Sequence, residues 1–163
     1  MRSIGGVQIV VDDLGRADVQ NLLRRHAEGM EASSPAGGCH YLDTKGLRSS
    51  EVTVWSAWDD GELLGVGALR EIDPTHGEVK SMRTADDHLG RGVGRALLEH
   101  IVEIASQRGY ERLSLETGST SAFDPARRLY ERFGFDSTGP FAEYEPNDFS
   151  RFYTLELVAR SGT

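Results

Sequence analysis

The sequence predicts a mixed α/β fold in a single domain spanning residues 1–163. Three observations predict it. Strand-like segments alternate with helix-spaced ones, a three-strand meander lies between two helices, and no repeat or low-complexity block divides the chain. With 163 residues, 38% hydrophobic and 27% charged, the chain is about one domain long and holds enough apolar side chain for one core. That composition excludes a disordered chain.

Each element has its own signal. Ile4 to Val11 is apolar enough for a strand, and Asp12-Asp13-Leu14-Gly15 breaks it. Val19, Leu22, Leu23, His26, Ala27 and Met30 follow at helical spacing, so one face of this segment is buried. Ser33 to Gly38 is a loop by composition. Glu51 to Trp58 and Glu62 to Arg70 flank Asp59-Asp60-Gly61, and the Asp-Gly pair marks a hairpin. A turn at Asp73 to Gly77 leads into a third strand, Glu78 to Thr84. Gly90-Arg91-Gly92-Val93-Gly94 opens a helix running to Arg108, with Val93, Ala96, Leu97, Ile101, Ile104 and Ala105 on its face. Gly109 stops it, and Arg112 to Glu116 is a short strand. Asp124-Pro125 predicts an Asp cap with proline at the first helical position. Ala126, Leu129, Tyr130 and Phe133 form that helix's inner face, and Gly134 ends it. Phe135 to Thr138 and Arg151 to Val158 read as the last strands, joined by the polar loop Gly139 to Ser150.

Charge and cysteine content exclude several functions. Lys and Arg total 18 against 26 acids, for a net charge of −8. That argues against a broad nucleic-acid footprint, though not against a local phosphate site. A single cysteine, Cys39, excludes an intramolecular disulfide framework and a cysteine-rich zinc site. No apolar run approaches a membrane span, and Met1 to Leu14 lacks the pattern of a signal peptide. The expectation is a cytoplasmic protein with no nucleic-acid or membrane partner. His76 and Glu78 share a strand face but lack a third ligand in recognisable spacing, so no metal is expected. Cys39-His40 is not a nucleophile pair, because adjacent residues in extended chain point oppositely. No Gly-x-Ser-x-Gly elbow occurs, so hydrolase chemistry is not expected.

The glycine stretch is the most informative feature. A glycine loop feeding a helix start aims unpaired backbone N–H groups at one spot, with the positive end of the helix dipole behind them. This suits a phosphate or pyrophosphate, with Arg91 and Arg95 adding charge-assisted contacts. The alternative is a tight turn that packs the helix close to a strand. A Walker A string is absent. A dinucleotide Gly-x-Gly-x-x-Gly fails in both registers, since the third glycine would be Arg95 or Leu97.

Glu78-Val79-Lys80-Ser81-Met82-Arg83-Thr84, a short connection, then Leu89 to Leu98 resembles the acetyl-CoA motif of the GNAT N-acetyltransferase superfamily. Pro125 to Phe135, with Leu129-Tyr130 and Gly134-Phe135, is similar to its second signature, and the element order matches along nearly the whole chain. Ser114 to Gly118, with Pro140-Phe141 and Tyr144, resembles a YsnE-like bacterial subgroup. The resemblance implies a mixed, mostly antiparallel sheet flanked by helices, with acetyl-CoA as co-substrate. It places the cofactor on Met82, Arg83 and Thr84 and on Leu89, Gly90, Arg91, Gly92, Val93, Gly94 and Arg95. Two positions depart from the pattern. Leu89 stands where an Arg or Gln is usual, and Phe123 where an Asn often is.

The implied reaction is direct acetyl transfer from a thioester to an amine, and it defines roles for named residues. The amine must lose a proton, the carbonyl oxygen needs donors as charge develops, and the departing thiolate takes a proton. The resemblance gives the last role to Tyr130, since a phenol of pKa about 10 is protonated at neutral pH. Without it, Tyr130 is a core residue at helical spacing. Backbone N–H groups near Met82 would serve the carbonyl oxygen, and Met82 to Thr84 would pair with the pantetheine amides like an added strand. Glu78 and Glu116 are the candidate bases, with Glu78 preferred because it lies on the motif strand; the alternative for each is a solvated rim charge. The acceptor expected is a small-molecule amine, and a homodimer is left open. The rivals are a non-catalytic acyl-CoA-binding module and a protein or peptide N-acetyltransferase. Acidic residues in 141–150 read first as a solvated loop, with attraction of a cationic amine as the alternative, and His40, Lys80 and Arg83 would equally suit an acceptor bearing a carboxylate.

Overall fold

A computed structural model describes residues 7–33 and 44–157. The expected strand residues 4–6, the loop over 34–38 with Cys39 and His40, and strand residue 158 lie outside the described residues. The chain runs through β1 (Gln8–Val11), α1 (Ala17–Ser33), α2 (Thr44–Leu47), β2 (Val52–Asp59), β3 (Glu62–Asp73) and β4 (His76–Thr84). It continues through α3 (Val93–Gln107), β5 (Arg112–Gly118), α4 (Asp124–Phe133), β6 (Asp136–Thr138) and β7 (Ser150–Glu156). The strands form one sheet in the order β1-β2-β3-β4-β5-β7-β6. Every neighbouring pair is antiparallel except β4 and β5, as the predicted class requires.

Local chemistry explains the meander. Asp60 and Gly61 both take positive φ, 53° and 80°, which is the two-residue turn whose twist matches a hairpin. The second turn is tighter than its composition suggested. β3 runs on to Asp73 and β4 begins at His76, leaving only Pro74 and Thr75 between them. The Asp73 carboxylate accepts the Thr75 amide at 2.8 Å and pins that turn.

Helices cover both faces of the sheet. α3 packs Val93, Leu97, Leu98, Ile101 and Val102 against Trp55, Leu69 and Leu113. Leu98 and Val102 widen the buried face beyond the predicted stripe, because α3 lies across β2, β3 and β4. At roughly 2 kcal/mol per buried side chain, this burial fixes where α3 begins. It also fixes the glycine loop that precedes it. The close approach needs Gly67, where an added Cβ would lie 2.7 Å from the Met82 sulfur and 3.1 Å from Ile101. On the opposite face α1 places Val19, Leu22 and Leu23 near Val54, Trp58 and Val66.

α4 begins differently from the prediction. Asp124 is its first helical residue and not its cap; the capping position belongs to Phe123, which makes no side-chain cap bond. The Asp124 carboxylate instead accepts from Arg127, one turn on. It still complements the helix dipole from the first turn. Gly134 closes the helix at φ 111°, a conformation open to glycine and costly for other residues.

Candidate active site

Parallel pairing between β4 and β5 lasts for four residue pairs, from His76 with Arg112 to Val79 with Leu115. Beyond them the ladder stops, although β4 continues to Thr84 and β5 to Gly118. A bulge adds to the parting. Between Val66 and Ala68 the register gains one residue on β4, and Ser81 there takes φ 56°. A bulge increases local twist and re-aims the groups beside it. No glycine marks this position, so the sequence gives no local sign of it.

A cleft of about 730 Å³ runs through the parting, from the start of α3 to α4 and α1. It is lined by all three predicted catalytic residues, Tyr130, Glu78 and Glu116. Met82, Arg83, Thr84, Leu89, Gly90, Gly92, Gly94 and Arg95 line it as well. Two predicted binding residues stand differently. The Val93 side chain is buried in the core under α3. Arg91 does not reach for an anion in the cleft: its guanidinium pairs with Asp59 at 3.2 Å and donates to His88 Nδ1 at 2.6 Å. His88 Nε2 in turn bonds Glu62 at 2.7 Å. These acids sit on the β2–β3 hairpin, out of range of any local sequence reading.

The glycine end has the geometry of an anion cradle. Gly90 and Gly92 have φ 81° and 84°, and Gly92 caps α3 with no side-chain bond. The first intrahelical bond runs from Ala96 N to Gly92 O, so the amides of Val93, Gly94 and Arg95 have no acceptor within the helix. A Cβ at Gly94 would meet nothing closer than Leu129 at 3.4 Å and Thr84 Oγ1 at 3.8 Å. Gly94 is therefore not required by packing alone.

The walls carry the polar groups. Glu78 is fully buried. Its carboxylate accepts Arg70 Nε at 2.9 Å, Lys80 Nζ at 3.2 Å and the Tyr144 hydroxyl at 2.8 Å. Lys80 also donates to the Tyr144 oxygen at 2.8 Å. Glu78 is thus no solvated rim charge, and its oxygens are engaged by two cations and a phenol. Burial, with the Glu78 charge second, drives the Tyr144 phenol far above its ordinary value, so it stays protonated and donating. Glu116, on β5 across the parting, is half-buried and accepts the Ser150 hydroxyl at 2.6 Å. Tyr130 is buried on α4, with its ring 5.9 Å from Phe135. Phe123 lines the cleft mouth and stacks edge-on against Phe149. His76, outside the cleft lining, bonds Ser114 Oγ at 2.7 Å through Nε2. Among the described residues no cluster of three or more metal-ligating side chains occurs, and no helix is long and apolar enough to cross a membrane.

Sequence reasoning missed the α1 wall. His26, Gly29 and Met30 line the cleft, whereas the helical stripe treated His26 and Met30 as core. A histidine within an apolar stripe was the available signal. Its Nδ1 is buried with no hydrogen-bond partner among the described residues. Desolvation, then the charges of Arg83 and Lys80, lower its pKa to about 4, so the imidazole is neutral at pH 7.

The sequence pattern of the Acetyltransferase (GNAT) family matches residues 18–135. The chain belongs to the GNAT family. The GNAT protein is 50% identical over 151 residues to the uncharacterized N-acetyltransferase YsnE of Bacillus subtilis, covering 93% of this chain and 100% of that one. It is 45% identical over 149 residues to the uncharacterized N-acetyltransferase YedL of Escherichia coli, covering 91% and 94%. Its fold is similar to a putative acyl-CoA N-acyltransferase from Klebsiella pneumoniae, with TM-score 0.78, 27% identity, and coverage of 93% and 97%. It shares the fold of a GNAT family acetyltransferase from Elizabethkingia anophelis solved with acetyl-CoA bound, at TM-score 0.71, 20% identity, and coverage of 93% and 99%. The GNAT protein is accordingly an N-acetyltransferase.

Proposed function

We propose that the cleft transfers acetyl from acetyl-CoA to the amine of a small-molecule acceptor. One observation carries the reading: a single cleft joins the glycine cradle at the start of α3 to the parting of β4 and β5, with Tyr130 and two carboxylates on its walls. The residues fit the donor. The pyrophosphate meets the orphan amides of α3, and the room above Gly94 admits it. The edge of β4 that β5 leaves beyond Val79 would offer the pantetheine amides an added strand along Met82 to Thr84. Ser81 Oγ, buried with no hydrogen-bond partner among the described residues, lies on that same stretch. The donor supplies an acetyl thioester.

The chain supplies position and protons. The C–N bond forms as the C–S bond breaks, and the amine proton leaves to a carboxylate or through water to solvent. Tyr130 protonates the departing sulfur. Between the carboxylates the geometry favours Glu116 as base, because Glu78 is committed to Arg70, Lys80 and Tyr144. Glu78 then positions Lys80 and holds the 139–149 loop over β4. The α1 residues His26, Gly29 and Met30 wall the cleft beside β4, which favours a small acceptor over a folded protein. The test is thiol release from acetyl-CoA across a panel of small amines and peptides. Release with amines alone supports the reading. Donor binding without transfer to any acceptor leaves an acyl-CoA-binding module, and transfer confined to peptides replaces the acceptor class.

A further inference from the structure

The acceptor end of the cleft carries an uneven distribution of charge. Two cations, Lys80 and Arg83, stand on its β4 floor toward α1. Lys80 shares the buried Glu78 carboxylate with Arg70, at 3.2 and 2.8 Å, and Arg70 also reaches the exposed Glu143 at 3.4 Å. Arg83 is held loosely. Among the described residues its nearest carboxylate is Asp86 at 3.8 Å, which is 58% exposed and pairs more closely with Arg25 at 3.1 Å. Gly29 makes room for the guanidinium on α1: a Cβ there would lie 3.2 Å from Arg83 Nη1. His26, one turn earlier on that helix, completes the wall with a neutral imidazole that donates one N–H and adds no charge. The positive field of Arg83 and Lys80 is already felt at His26, where both depress protonation. Across the parting the floor ends in an acid, Glu116. The acceptor end is thus polarised, cationic toward α1 and anionic toward β5.

We propose that His26, Lys80 and Arg83 form a carboxylate subsite, so that the acceptor is an amine bearing a carboxylate a few bonds from its nitrogen, of the amino-acid class. The carboxylate lies against Arg83 and Lys80, and the ammonium turns toward Glu116, which takes its proton before attack. Arg presents a planar fork that matches a carboxylate, and such charge-assisted bonds are about twice as strong as neutral ones. A decarboxylated amine leaves Arg83 with only its long contact to Asp86 and gains nothing at that wall. A neutral amide loses the ionic part of the contact. The proposal rests on the reading of the cleft as an acetyl-transfer site.

The test compares kcat/KM, with acetyl-CoA saturating, for each common amino acid, its primary amide and the amine left by removing its carboxylate. The expected result is at least one amino acid used tenfold or more better than its amide and its decarboxylated amine, with the difference carried mainly by KM. In Arg83→Gln that ratio falls toward one, while Arg83→Lys retains part of it because the charge remains. Lys80→Gln serves as an independent second variant, and melting temperatures with and without acetyl-CoA confirm that each variant is folded. Amides or carboxylate-free amines used as well as the amino acids overturn the subsite and leave the transfer activity standing. A ratio unchanged in Arg83→Gln and Lys80→Gln also overturns it. If acetyl-CoA binds and no member of any class is acetylated, the transfer reading itself fails and takes the subsite with it.

Discussion

Three side chains in the cleft have separable roles, and each yields its own measurement. Tyr130→Phe keeps the ring against Phe135 and removes only the hydroxyl. Turnover should fall by about one to three orders of magnitude, with acetyl-CoA affinity unchanged by calorimetry. Glu78→Gln leaves Arg70 and Lys80 buried against a neutral amide. Removing one partner of a buried ion pair costs about 3–5 kcal/mol, so the melting temperature should drop by on the order of 10 °C. Glu116→Gln should melt near wild type yet lose turnover at neutral pH. That deficit should shrink as pH rises toward the amine's own pKa of about 10.4 and solvent supplies more neutral acceptor. A Glu78→Gln protein with wild-type stability and the pH-dependent loss would exchange the two roles. His26 adds a pH dependence of stability. Its pKa is about 4 in the folded protein, against about 6.5 unfolded. Between those values the unfolded chain binds a proton that the folded one refuses. Stability is therefore full above pH 6.5 and declines as pH falls toward 4, by at most about 3 kcal/mol. Urea melts across that window should show the slope, and His26→Gln should flatten it.

Among the elements, the start of α3 offers the cleanest separation of folding from binding. A side chain at Gly94 meets only Leu129 and Thr84 at ordinary contact distances, so Gly94→Val should fold. It places a branched side chain in the path of the phosphates. The rise in melting temperature with acetyl-CoA should vanish; a folded variant that still shows the wild-type rise would remove the pyrophosphate from this loop. The same elements show what a sequence reveals. The meander, α3, α4 and the glycine loop were legible because their signals are local: an Asp-Gly pair, helical spacing, and glycines where φ is positive. The bulge at Ser81 was not, since a serine seldom marks positive φ. The partners of Glu78 were hidden for a different reason. Arg70 lies across a hairpin and Tyr144 reaches in from a loop 66 residues away. Arg91 looked like a phosphate ligand because its spacing was right. In the structure its guanidinium pairs with Asp59, 32 residues back, which no local reading could supply.

At the scale of the whole molecule, the sheet consists of two antiparallel blocks, β1 to β4 and β5 with β7 and β6, joined by four parallel residue pairs. Acetyl-CoA at one hundred times its Kd should stabilise the folded state by about 2.7 kcal/mol. Where that stabilisation appears is the more telling question. A donor lying in the parting as proposed would hydrogen-bond to β4 backbone where β5 has withdrawn, and so would serve as a missing rung between the blocks. Amide hydrogens of 82–84 should then exchange more slowly with deuterium once donor is added, while those in the middle of α3, already bonded within the helix, should change little. The enzyme's resistance to local opening along this seam would then become a function of the donor pool around it, with the substrate completing a sheet that the resting protein leaves parted.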